Sequence, residues 1–159
     1  DILWIDEKTL AIGHGFRTNA EGIEQIKEGL APLGITVIAV ELPYWEGKES
    51  CLHLQSLISL VDEKVALVYL PLLSVPFVNS LKERGFKLIE VPEKEFLTMG
   101  PNVLAIAPGL CLTIEGNPMT KQRLEAMNIQ VITYKGDEMS LKAEGGATCL
   151  TRPLLRRSL

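Results

Sequence analysis

Two short stretches carry residue types that form a nucleophile and its base. In Glu144-Gly145-Gly146-Ala147-Thr148-Cys149-Leu150-Thr151-Arg152, a cysteine follows a glycine pair. The glycines let the backbone turn tightly and approach a ligand closely. Cys149 therefore stands at the mouth of an apolar segment, just past a flexible turn, where a thiolate nucleophile is well placed. A nucleophilic thiol needs a base within reach, and the chain has only two histidines. One, His53, lies in Ser50-Cys51-Leu52-His53-Leu54-Gln55-Ser56. The expectation is that His53 and Cys149, distant in sequence, face each other across one cleft.

Each of these residues has a plainer reading. Free cysteines are usually small buried hydrophobes, and Cys111, inside an apolar strand, reads that way. A lone histidine among leucines is often a satisfied core residue. Cys51 precedes His53 by two positions, so on a strand both would point to the same side. A Cys51/His53/Cys149 zinc site lacks the closely spaced ligand pairs such sites use. His14 lies between glycines and reads as loop. Arg17, beside Thr18 and Asn19 at a helix start, is a cation at the wrong end of a helix dipole. That mismatch favours a bidentate clamp on a carboxylate over a merely solvated arginine.

The elements that must position these residues repeat. Residues 2–5 and 9–13 read as strands joined by Asp6-Glu7-Lys8, followed by a helix from Thr18 or Asn19 to about Leu33. Ile23, Ile26, Leu30 and Leu33 mark its apolar face, Gly34 ends it, and residues 35–40 form a β-branched strand. The same order returns with strands 52–61 and 64–70, helix 75–84 carrying Phe77 and Leu81, and strand 86–91. It returns again with strands 102–107 and 110–114, helix 118–127 capped by Asn117 with Leu124 and Met127 inward, and strand 129–134. Residues 137–141 make a helical turn, and a last strand runs through residues 147–155. The expected architecture is α/β, a single domain over residues 1–159 built of strand-strand-helix-strand modules at about 1–41, 52–91 and 102–134.

Composition narrows the function. The 159 residues suit one domain. With 47% hydrophobic and 23% charged residues the chain is ordinary for a globular protein. A net charge of −4, with basic residues gathered only at Arg152, Arg156 and Arg157, argues against nucleic acid as the main partner. Three cysteines without a paired framework point to a reducing, cytoplasmic setting. The longest apolar run, residues 65–78, is broken by Pro71 and Pro76 and is too short for a membrane span. The chain opens on Asp1 rather than Met and runs straight into a strand, as the middle of a longer protein would.

Taken together, these pieces resemble the guanidine-modifying enzyme superfamily, whose fold is the pentein or α/β-propeller, and within it most of all the dimethylarginine dimethylaminohydrolases. Asp1-Ile2-Leu3-Trp4 is similar to the end of that family's acidic-Gly-Gly-Asp strand motif. Arg17-Thr18-Asn19 resembles its Arg-Thr-Asn motif, Leu52-His53-Leu54 its histidine motif, and Glu144 through Cys149 its nucleophile segment. The resemblance implies that Cys149 attacks the guanidinium carbon and His53 serves as acid and then base. It implies that Arg17 binds the substrate α-carboxylate and Glu144 lines the pocket through its carbonyl. It implies a small guanidino substrate such as dimethylarginine, yielding citrulline and dimethylamine, with no metal or organic cofactor. Two departures matter. Family folds have five modules and three are legible here, so a carboxylate expected just before Asp1 is missing, and turnover by this chain alone is not expected. Deiminases and amidinotransferases carry an aspartate two residues after the histidine, where this chain has Gln55. The expected partner is a missing N-terminal half or a second copy of the chain. The competing readings are an arginine deiminase or amidinotransferase relative, and a non-catalytic assembly module.

Overall fold

The structure, a computed structural model, describes residues 1–50 and 52–152. In the first module, β1 (Ile2–Asp6) and β2 (Thr9–His14) form an antiparallel hairpin, and α1 (Ala20–Leu30) carries the chain back to β3 (Thr36–Glu41), parallel to β2. The second module repeats this with β4 (Ile58–Asp62), β5 (Val65–Val68), α2 (Val75–Glu83) and β6 (Lys87–Glu90). The third uses β7 (Leu104–Ala107), β8 (Leu110–Ile114), α3 (Pro118–Glu125) and β9 (Gln130–Tyr134). Each sheet has three strands in chain order.

The repetition reaches below topology. All three hairpins shift register at the same place, between Trp4 and Asp6, between Leu60 and Asp62, and between Ala105 and Ala107. The middle strand of each sheet is paired on both sides and apolar almost throughout, as parallel strands covered on both faces must be. Leu10 to Ile12, Ala66 to Val68, and Cys111 are accordingly buried. Polar ties join the modules. Arg84 Nη1 donates to Asp6 Oδ2 at 3.1 Å, and Ser59 Oγ donates to the Pro101 carbonyl at 2.7 Å.

Helix ends follow elementary rules, with informative exceptions. Asn19, not Thr18, caps α1 by accepting the Gly22 N–H at 2.8 Å. Gly34 then turns the chain in the left-handed region at φ 68°. Leu33, expected on the buried face, is exposed in the 3-10 turn after the helix. Asn117 does not cap α3 with its side chain. Glu95 does so from another segment, its carboxylate accepting the Met119 and Thr120 N–H groups at 2.8 and 2.7 Å. Leu124 is buried, whereas Met127, expected inward, lies past the helix end and is exposed.

Three other expectations are corrected. The strand expected over residues 52–61 begins only at Ile58, because Leu54–Ser56 forms a 3-10 turn. The Leu54 N–H goes to Asp1 Oδ1 at 2.9 Å and the His53 N–H to Ser56 Oγ at 3.1 Å, so neither is left for a ladder. His14, expected in a loop, ends β2, with Nδ1 2.9 Å from Glu41 Oε1 on the neighbouring strand. The closing strand expected over residues 147–155 is turn and bend through residue 150 and irregular backbone at 151–152. Its remainder, 153–155, lies outside the described residues, as do Cys51, Arg156 and Arg157. The expected helical turn is a π-helical turn, Asp137–Lys142. No helix among the described residues is long and apolar enough to cross a membrane.

Candidate active site

The connections ahead of β1, β4 and β7, together with the segment after β9, meet on one side of the molecule. His53 stands on extended backbone, φ −110° and ψ 162°, directly before the 3-10 turn. Its Nδ1 lies 3.1 Å from Asp1 Oδ2, and the Asp1 side chain is only 6% exposed. Thr18 Oγ1 donates to that same carboxylate at 2.7 Å, and the Leu54 N–H to its other oxygen at 2.9 Å. Gly13 must be glycine for this: a Cβ there would meet Asp1 Oδ1 at 2.8 Å. A carboxylate fixed at Nδ1 favours the tautomer that keeps its proton on that nitrogen and leaves Nε2 as the base.

Burial above all, and also the positive charge of Arg17, holds the His53 pKa below the ordinary histidine value. The neutral, proton-accepting imidazole therefore persists to lower pH than in an exposed histidine.

Cys149 is exposed at the tip of a turn. The turn is closed by the Cys149 N–H donating to the Gly146 carbonyl at 3.0 Å and by Thr151 Oγ1 donating to the Ala147 carbonyl at 2.7 Å. Asn102 Nδ2 donates to Cys149 Sγ at 3.5 Å. His53, Asn102, Glu144 and Cys149 all line one cavity of about 630 Å³. Its wall includes Trp45 and Phe96, with ring centroids 5.6 Å apart and Phe96 stacked at 4.0 Å on Tyr69. Glu46 and Glu49 bring carboxylates to the same lining. Among the described residues four non-glycines have positive φ, and three of them, Trp45, Met99 and Glu144, line this cavity. Backbone strain of this kind gathers where function over-determines structure.

Among the residues the sequence singled out, His53, Glu144 and Cys149 therefore share one cavity. Arg17 does not line it. It lies exposed between β2 and α1, near enough for its charge to act on His53. Gln55 also stays out of it, its Nε2 donating to the Ile2 carbonyl at 2.8 Å. Cys111 is fully buried, its thiol directed at the Val61 carbonyl at 3.7 Å. Among the described residues, no group of three or more His, Cys, Asp and Glu side chains is arranged to hold a metal. Sequence reasoning missed Asp1 and Asn102 as site residues. Each directly precedes a strand-like run, which was a usable signal, but their partners His53 and Cys149 lie too far along the chain for spacing to reveal.

Comparison with known proteins gives a consistent picture. The family model described as arginine deiminase matches residues 1–78 and 70–156. An uncharacterized protein, YkgA, of Bacillus subtilis (strain 168) is 32% identical over 152 residues, covering 96% of this chain and 50% of that protein. An arginine deiminase of Listeria welshimeri is 29% identical over 195 residues, covering 100% of this chain and 47% of the enzyme. Among solved structures, DDAH from Pseudomonas aeruginosa, a Cys-to-Ser mutant complexed with citrulline, superposes with TM-score 0.74 at 25% identity, over 94% of this chain and 52% of that one. The chain thus spans about half the length of the proteins it matches. Its three small sheets are those of the pentein fold.

Proposed function

The chain belongs to the arginine deiminase family of the pentein superfamily, and from that premise we propose that the protein it forms is a hydrolase acting at the guanidinium carbon of an arginine derivative. One observation carries the reading: Cys149 and His53, far apart in the chain, line the same cavity. His53 takes the proton of the Cys149 thiol, and the thiolate adds to the guanidinium carbon. His53, as its imidazolium, gives a proton to the departing nitrogen, and the carbon–nitrogen bond breaks to leave a thiouronium on sulfur. His53, now neutral, takes a proton from water as the oxygen adds to that carbon. The carbon–sulfur bond then breaks and the added oxygen gives up its remaining proton to solvent, releasing the ureido product and a thiolate that takes back the proton held by His53. Asp1, 3.1 Å from Nδ1, keeps the imidazole oriented through both steps. Arg17 receives the substrate carboxylate, and Glu144 contributes its carbonyl to the pocket.

The substrate is an N-methylated arginine, a reading supported by Gln55, which stands where deiminases carry an aspartate and is turned to the Ile2 carbonyl. Arginine itself is the second reading, favoured by the arginine deiminase family match. The test offers dimethylarginine and arginine separately, both to this chain and to any longer protein that contains it, and measures citrulline, dimethylamine and ammonia. Dimethylamine from dimethylarginine is expected. Ammonia from arginine alone would replace the first reading with the second. No product from either, with Cys149 also unlabelled by chloroacetamidine, would overturn the enzyme reading.

A further inference from the structure

Asn102 is a buried polar side chain, 8% exposed, whose amide is used at both ends. Its Oδ1 accepts the Thr148 N–H at 3.1 Å, and its Nδ2 donates to Cys149 Sγ at 3.5 Å. The backbone donor at Thr148 decides which way the amide faces. Only an oxygen can meet that N–H, so the NH2 group is left toward the sulfur. Gly146 permits the approach, because a Cβ at that position would overlap the Asn102 amide. The segment that carries Asn102 is itself anchored. Its N–H donates to the Met99 carbonyl at 2.9 Å, and Glu95 fastens the same stretch to the start of α3.

We propose that Asn102 aims the Cys149 sulfur at the cavity wall and stabilises the thiolate as it forms, by donating an amide hydrogen bond to the sulfur while Thr148 fixes the amide's direction. This rests on the reading of Cys149 as the nucleophile. A thiolate is a strong acceptor and a thiol a weak one, so a fixed donor stabilises the ionised form. The glycine pair gains a second purpose: besides letting the chain turn, Gly146 leaves room for the asparagine.

The test is alkylation by iodoacetamide, read peptide by peptide by mass spectrometry, which requires no substrate. Cys111, fully buried, reports in the same digest whether the protein is folded. Asn102→Asp keeps an oxygen for the Thr148 N–H and replaces the donor with a second acceptor. The expected result is Cys149 alkylation at pH 7 slowed about tenfold or more, the scale of a hydrogen bond to a charged group. At pH 10, where the thiol ionises regardless, the difference should shrink. Asn102→Ser, which cannot crowd Gly146, should slow alkylation in the same pH-dependent way. An unchanged pH profile in Asn102→Asp would reduce Asn102 to a clamp on the turn and overturn the proposal. Exposure of Cys111 in both variants would make Asn102 a folding residue and overturn it as well. Failure of chloroacetamidine to label Cys149 in the wild type would fell the nucleophile reading itself, and this inference with it.

Discussion

The three modules and the segments that lead into them are built on opposite principles. The modules repeat one another down to a shared register shift in each hairpin, and their middle strands are apolar and sealed. The lead-ins differ where they deliver their polar groups. Asp1 opens β1 directly, His53 precedes a 3-10 turn ahead of β4, Asn102 ends a short turn ahead of β7, and Cys149 sits on a turn after β9. Yet each lead-in brings one polar group to the same side. A repeated scaffold thus carries an unrepeated site: symmetry fixes where the lead-ins converge, and sequence differences among them supply a carboxylate, an imidazole, an amide and a thiol.

Substitutions on the two sides of that divide should separate chemistry from stability. The largest effect belongs to Cys149→Ala. Labelling by chloroacetamidine should disappear from the 149 position with the melting temperature unchanged, because the side chain is exposed. Cys111→Ser should leave labelling intact. In the scaffold, Leu67→Ala empties a fully buried position in β5 and should cost about 3 kcal/mol in urea unfolding. Cys149 should keep its reactivity in the folded fraction. A core substitution that abolished labelling without unfolding would break the distinction.

The scaffold was legible because hydrophobic periodicity and turn residues are local. Gly34, Gly85 and Gly109, all at positive φ, fall where the sequence put the ends of helices and the hairpin turn. What was illegible required contacts between segments. Leu54 looked like a strand residue until Asp1, from the start of the first module, took its N–H. Asn117 looked like a cap, but its Nδ2 donates to the Thr98 carbonyl at 2.9 Å and Glu95 caps the helix instead. Met127 fitted the helical spacing, but α3 stops at Glu125 and Asn128 turns at φ 62°. Within the site, Cys149 and His53 could be named from residue type, glycine neighbours and family resemblance. Asp1 and Asn102 could not, since an aspartate or asparagine acquires such a role only through what it faces.

Glu95 tests how far the scaffold governs the site. It is 6% exposed and belongs to the segment that supplies Phe96, Met99 and Asn102 to the cavity. Glu95→Ala leaves two N–H groups at the start of α3 without their acceptor and should cost about 2 kcal/mol. For a chain of this size that lowers the melting temperature by roughly 5 °C. If the anchor also steadies the cavity wall, Cys149 alkylation at pH 7 should slow in the folded protein. A loss of stability with alkylation untouched would show the lead-in to hold its shape without the helix.

The smallest expected effect concerns Arg17, which sits outside the lead-ins and outside the cavity lining. Burial is the leading cause of the lowered His53 pKa, and the cationic Arg17 pushes the same way. The folded protein therefore resists protonating His53 more than the unfolded chain does. Stability from this source is complete above the unfolded value of about 6.5 and is lost as pH falls through the lower folded value. Arg17→Ala removes the charge and leaves the burial, so the His53 midpoint should move upward and the window of acid sensitivity should narrow. The imidazole C–H resonances of His53, followed by NMR across the titration, measure this directly. A midpoint that stayed put would mean Arg17 acts on His53 too weakly to share its site. The carboxylate-binding role would then have to pass to another cation, and the lead-ins alone would make up the site.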